Sequence, residues 1–240
     1  PDLPSYRNGL FMIQDEAAML VSHILAPSKG ARILDVCAAP GGKSCHIAEI
    51  TGDQAHIIAL DIHESRLVQI EENQKRLGII GIDTAVADAS SITTEHKEYI
   101  QAFDGVLADV PCSGLGLLLR KPDIRQKMTY ARMQELIPIQ AAILREAAEC
   151  VRPGGRLVYS TCTINPEENA YQAERFLSEN KDFRYQSFGD ILPERLKEES
   201  LCLMEQAQKG QLQLLPDRVG CDGFFIACFR RINDGEKSSL

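Results

Sequence analysis

The sequence predicts an α/β fold built on a doubly wound, mostly parallel sheet, and three observations predict it. Apolar runs of strand length alternate with helical patterns from residue 31 to 87, a rhythm that puts helices on both faces of one sheet. The first run ends in a tight turn of small residues, Cys37-Ala38-Ala39-Pro40-Gly41-Gly42, which opens straight into a helix at Lys43. The closing runs, 211–215 and 223–229, read as an antiparallel addition near the C-terminus.

Taken in order, Asn8 to Asp15 reads as an extended lead-in and Glu16 to Leu25 as an amphipathic helix followed by Pro27. Residues 1–27 are expected to form an extension packing on a main domain at 28–232, with 233–240 a frayed tail. Strands follow at 31–37, 56–61 and 82–87, with helices near 43–50 and at 64–77. A fourth strand, 103–109, runs into the loop Val110-Pro111-Cys112-Ser113-Gly114-Leu115-Gly116. The helical pattern from about 129 to 151 contains Pro138, which should kink or divide it. Arg152-Pro153-Gly154-Gly155 should then turn the chain into a fifth strand, 156–162. In the following helix Asn165 is placed to cap, Pro166 to take the first position, and Glu167 and Glu168 to meet the positive end.

Composition narrows the function. With 240 residues, 44% hydrophobic and 25% charged, the chain can bury one sizeable core. No apolar run approaches the roughly 18 residues of a membrane span, and no signal peptide is visible, so no membrane role is expected. The chain begins at Pro1, which favours a piece of a longer protein. Eight scattered cysteines lack both the density of a secreted disulfide scaffold and the spacing of a zinc site, so a reducing cytoplasm and no metal are expected. A net charge of −8 argues against tight, sequence-blind nucleic-acid binding. Arg120, Lys121, Arg125, Lys127 and Arg132, set against Asp123 alone, form a local basic patch all the same.

The first turn is built for a nucleotide-like ligand. Its small side chains let a ligand approach the backbone, and the free N–H groups at the helix start attract an anionic group. Gly42-Lys43-Ser44 imitates the end of a phosphate-binding loop, but that pattern requires glycine where Cys37 stands. A dinucleotide fingerprint fails as well, because only two adjacent glycines follow Ala38-Ala39-Pro40. S-adenosylmethionine remains. About twenty positions on, Asp61 ends the second strand, where such folds place the carboxylate that grips ribose hydroxyls, and Asp88 ends the third toward the adenine edge.

Two thiols, Cys112 and Cys162, end neighbouring strands beside the same crevice, in polar surroundings where no apolar filling is needed. Beside a methyl donor they suggest pyrimidine chemistry: thiolate addition at carbon 6 makes carbon 5 nucleophilic enough to accept a methyl group. Asp109 is placed to protonate or hydrogen-bond the ring nitrogen as charge develops. One thiol would add to the ring and the other assist release. Methylation of an exocyclic amine needs no thiol, and an RNA-binding module with a vestigial pocket needs neither.

Leu34-Asp35-Val36-Cys37-Ala38-Ala39-Pro40-Gly41-Gly42-Lys43-Ser44, Asp109-Val110-Pro111-Cys112-Ser113-Gly114, Tyr159-Ser160-Thr161-Cys162-Thr163 with Pro166-Glu167-Glu168-Asn169, and Asp222-Gly223-Phe224-Phe225-Ile226-Ala227 together resemble the Sun family of RNA cytosine-5 methyltransferases. The likeness is to members acting on bacterial 16S ribosomal RNA, with transfer RNA the alternative substrate. It implies a class I S-adenosylmethionine-dependent methyltransferase fold, Rossmann-like, and a monomer whose N-terminal RNA-binding domain lies outside this chain. It makes Cys162 the nucleophile and Cys112 the group assisting release, with Lys43 and Asp109 close to the reacting atoms. It implies cofactor contacts from Cys37, Ala38, Ala39, Pro40, Gly41, Gly42 and Lys43, and from Asp61, Arg66, Asp88 and Asp109. Arg120, Pro122 and Asp123 match the family's Arg-x-Pro-Asp segment, and Arg120, Lys121 and Arg125 of the basic patch are the candidate RNA contacts.

Overall fold

The computed structural model describes residues 2–233 and 235, so most of the expected tail at 233–240 lies outside the described residues. Eight strands form one sheet in the order β3-β2-β1-β4-β5-β8-β6, with β7 also paired to β8. The parallel part comprises β1 (Arg32–Asp35), β2 (His56–Asp61), β3 (Ile82–Val86), β4 (Phe103–Asp109) and β5 (Val151–Thr161). β6 (Phe183–Tyr185) and β7 (Gln211–Leu214) lie end to end along the far edge of β8 (Phe224–Arg231), which runs antiparallel to all its neighbours.

The helices begin with α1 (Pro4–Arg7), which the sequence did not suggest, and α2 (Glu16–Leu25), where Asp15 caps by accepting from the Ala17 N–H at 3.0 Å. Next come α3 (Gly42–Thr51), α4 (Glu64–Leu77), α5 (Ile92–Glu95), α6 (Ile124–Lys127) and α7 (Tyr130–Cys150). The remainder are α8 (Ala170–Glu179), α9 (Glu194–Glu199), α10 (Leu201–Gln208) and α11 (Pro216–Val219). One core fills the side holding α2 and α3, where Val21, Ile24, Ile33 and Ile57 are buried. The other lies under α7 and α8, with Leu34, Val106, Leu144 and Tyr159. Helices thus cover both faces, as apolar strands of a parallel sheet require.

Three local expectations are corrected. Pro138 does not divide α7: it sits in the part-exposed first half of the helix, where water can take the carbonyl bond that proline leaves open, while Gln140, Ile143 and Leu144 anchor the second half. Arg152 to Gly155 is no separate turn; β5 follows α7 directly, and these residues take up a register shift opposite Phe103 and Gly105. The helix expected at Pro166 starts only at Ala170, because Asn165 instead closes a turn onto the Glu167 N–H at 3.2 Å and Glu168 points inward.

Sheet order places the site. The direction of winding reverses between β1 and β4, so the crevice opens beyond their carboxyl ends, where the loops after Asp35, Asp61, Asp109 and Thr161 converge.

Candidate active site

The loop after β1 is shaped by its backbone. The Ala38 N–H donates to the Leu60 carbonyl at 2.8 Å and the Gly41 N–H to the Ala38 carbonyl at 2.7 Å, which closes the turn against β2. Gly41 has φ +96°, a conformation that strains any side chain, and a Cβ there would also crowd the Ile70 backbone on α4 at 3.2 Å. Arg66 from α4 donates to the Ala39 carbonyl at 2.9 Å and pairs with Asp61 at 3.1 Å. Asp61 is buried at the tip of β2 and also accepts from the His63 N–H at 3.0 Å. Asp88 accepts from the backbone and hydroxyl of Ser90 at 2.8 and 2.7 Å.

These groups line a cavity of about 460 Å³ that runs from Asp61 and Asp88 to Cys112 and Cys162, with Ile139 and Ile143 as its apolar wall. Acidic acceptors at one end, a short-side-chain floor and an apolar wall fit a nucleoside. Asp109 adds a carboxyl group to the lining beside the two thiols, which suits a ligand carrying positive charge. Asp35 lies behind the loop, its Oδ1 buried without a partner and its pKa pushed up to about 7 by burial. A hollow of about 310 Å³ between α2 and α9 is mostly apolar and far poorer in polar lining.

The other end of the cavity is a cluster around Asp109. One carboxylate oxygen accepts from Lys43 Nζ at 2.6 Å, the other from the Ser160 hydroxyl at 2.7 Å. Burial works against the Lys43 ammonium, but the charge and hydrogen bond of Asp109 outweigh it and hold its pKa above the ordinary value. Cys112 Sγ and Cys162 Sγ are 3.3 Å apart. The hydrogen bond from Cys112 lowers the Cys162 pKa against the opposing effect of burial, and Lys43 helps. The same hydrogen bond, with burial, pushes the Cys112 thiol well up. Burial and three neighbouring carboxylates raise Cys37 likewise. Of the three thiols lining the cavity, Cys162 is the one whose pKa is lowered rather than raised.

Sequence reasoning missed the brace behind the two thiols. Glu168 is fully buried; it accepts from the Ser113 N–H at 2.8 Å, the Ser113 hydroxyl at 2.6 Å and Gln140 at 2.9 Å, which locks the residue after Cys112 in place. Ser113 also meets Thr163, the residue after Cys162, at 2.7 Å. Asn169 accepts from the Thr161 hydroxyl at 2.6 Å and donates to the Thr163 carbonyl at 3.0 Å. The signal was present in Pro166-Glu167-Glu168-Asn169, where a carboxylate next to a thiol segment could serve either a helix dipole or a buried donor set.

The basic patch is only partly available. Arg120 pairs with Asp15 at 3.3 Å and with Asp222, tying its loop to the start of α2 and the lead-in to β8. Lys121 and Arg125 are exposed, with no ion-pair partner among the described residues. A family model described as 16S rRNA methyltransferase RsmB/F matches residues 22–230. The chain belongs to this family.

Relatives of the RsmB/F chain include a probable ribosomal RNA small subunit methyltransferase B from Synechocystis, 42% identical over 95% of this chain and 49% of its own length. A protein of the same description from Bacillus subtilis is 40% identical over 94% of this chain and 49% of its own. This RsmB/F chain therefore spans about half the length of the curated relatives it matches. Among solved structures, NSun6 from Pyrococcus horikoshii, determined with SFG, superposes with a TM-score of 0.81 at 29% identity, covering 97% of this chain and 56% of that one. The architecture is that of the S-adenosylmethionine-dependent methyltransferases.

Proposed function

We propose that this domain methylates carbon 5 of a cytosine in 16S ribosomal RNA through a covalent adduct between Cys162 and carbon 6 of the base. The reading rests on one observation: two thiols in contact, one of them disposed to ionise, face the same cavity as a lysine-paired aspartate. S-adenosyl-L-methionine, of which SFG is an analogue, would supply an electrophilic methyl group. The turn from Cys37 to Lys43 would hold it with Asp61, Arg66 and Asp88. These residues fit it, because the acidic strand ends match ribose and adenine donors while small side chains leave the backbone open.

The protein's own groups divide the work. Cys162 adds to carbon 6 as thiolate. Lys43, donating to Asp109 at 2.6 Å, and Asp109 itself would meet the ring nitrogen as negative charge develops there, with Lys43 the proton donor. Cys112, held 3.3 Å from the leaving sulfur, assists removal of the carbon 5 proton, after which the Cys162 bond breaks. The cytosine must be turned out of any stack to reach Cys162, which favours an unpaired site in the RNA. Lys121 and Arg125 would steer the phosphate backbone. The net charge of −8 suits a catalytic piece whose RNA affinity comes from a further N-terminal domain. The expected setting is the cytoplasm, with the protein acting as a monomer.

Incubating a Cys112→Ala variant with ribosomal RNA and cofactor should leave a slow-migrating covalent complex on a denaturing gel. No such band should form with Cys162→Ala. A band that persists without Cys162 would overturn the assignment, and sequencing methylated RNA for 5-methylcytosine would separate the ribosomal from the transfer RNA substrate.

A further inference from the structure

The two thiols that meet in the cavity can react with each other as well as with RNA. Their 3.3 Å contact leaves a gap of only about 1.3 Å to the length of a disulfide. Their backbones are already in register, because Asp109 and Ser160 pair directly across β4 and β5 and the two cysteines follow at nearly equal distance along each chain. Both are partly exposed in a cavity that admits solvent, whereas Cys45, Cys150 and Cys228 are buried. Cys202 is exposed, but its contact is the Gln206 amide at 3.4 Å rather than another thiol.

We infer that Cys112 and Cys162 form a hydroperoxide-sensitive modification site that closes to a disulfide. The Cys162 sulfur takes one oxygen from the peroxide: a sulfur–oxygen bond forms, the oxygen–oxygen bond breaks, and the second oxygen leaves as water with the thiol proton. The Cys112 sulfur then attacks the resulting sulfenic acid; the sulfur–sulfur bond forms, the sulfur–oxygen bond breaks, and the hydroxyl leaves as water with the Cys112 proton. The two thiols lose two electrons in all and the peroxide becomes two waters. Cys162 reacts first because its pKa is lowered by Cys112 and Lys43, and thiolate is the form that attacks. Cys112 stands close enough to trap the sulfenic acid before a second peroxide can take it to the sulfinic stage. The oxidised pair has no free sulfur to offer a base, so a thiol reductant restores what the peroxide removes.

Tryptic cleavage isolates the pair, since Cys112 is the only cysteine between Lys97 and Arg120 and Cys162 the only one between Arg156 and Arg175. Treating the chain with a stoichiometric amount of hydrogen peroxide, then blocking and digesting it, should yield these two peptides joined, at a rate at least about tenfold above modification of Cys202. Dithiothreitol should separate them. A Cys112→Ala variant should instead be labelled at Cys162 by dimedone, the mark of a sulfenic acid with no partner. Oxidation of Cys162 to sulfinic acid in the unaltered chain without cross-linking, or reaction of Cys202 first, would overturn the inference. This readout needs no methyl transfer, so it stands apart from the outcome of the RNA experiment.

Discussion

The loop after β1 and the loop after β4 both open on the same crevice, yet they are held there in different ways. The first is fixed by backbone bonds to the adjacent strand, by one glycine whose positive φ strains any side chain, and by Arg66 on the following helix. The second is fixed by side chains from far along the chain: Glu168 reaches Ser113, and Gln140 reaches both Glu168 and the Pro111 carbonyl. A pocket for a cofactor needs shape, which local backbone supplies. The two sulfurs need mutual placement for the proposed chemistry, and that takes a buried polar network joining the loop after β4, the end of β5, α7 and the turn before α8.

If the division holds, damage on the thiol side should abolish chemistry while leaving cofactor binding alone. Cys162→Ala is the most severe test, with transfer to RNA expected to fall by on the order of 10⁴-fold or more. Calorimetry should meanwhile find cofactor affinity within a few-fold of the parent. A parallel loss of both would mean that the two loops act as one unit. Glu168→Ala comes next. It strips an acceptor from Ser113, Gln140 and Asn165, so unfolding in urea should show a cost of about 3–5 kcal/mol. Glu168→Gln keeps the size but loses the charge. It should recover part of that stability while still slowing transfer at saturating cofactor, a split that purely structural damage would not produce.

The same contrast explains what could be read from the sequence. α2, β2, α4 and β4 match their expected limits, because dense apolar patterning ends each time in Asp, Gly or a cap. The first loop was legible for the same reason, being local. β6, with only three residues, carried too little pattern to register, and α9 and α10 fell in a Glu- and Lys-rich stretch that reads as surface. Glu168 was misplaced because spacing cannot show whether a carboxylate faces a helix end or a buried serine fifty-five residues away. The ion pairs of Arg120 were not legible, because a sequence shows its basic neighbours and not the carboxylates of Asp15 and Asp222 that fold against it.

Asp35, behind the first loop, sharpens the comparison through pH. Burial pushes its pKa up to about 7, against the lowering effect of the Ser44 hydrogen bond at 2.6 Å. The folded state therefore holds this proton more tightly than the unfolded chain does. Its contribution is fully present below about pH 4 and is lost as pH rises toward 7, on the order of 2–4 kcal/mol in all. Asp35→Asn carries no charge to bury, so its stability should fall less between pH 5 and pH 8 than the parent's. Equal slopes would remove Asp35 as the group responsible.

Asp61 gives the smallest and most selective effect. Its carboxylate is buried in the cavity lining, where Arg66 and the His63 N–H meet its two oxygens and each oxygen can still accept a further bond from a ligand. Replacing it with alanine removes bonds to the ligand worth about 1–3 kcal/mol. It also frees Arg66, but Arg66 keeps its second bond to the Ala39 carbonyl and with it the shape of the turn. Half-saturation by cofactor should therefore move up by roughly 5- to 150-fold, while the transfer rate at saturation stays near the parent value. A fall in that limiting rate would show that the aspartate reaches through the bound cofactor to the reacting sulfurs, and that the two loops are less separate than their anchoring implies.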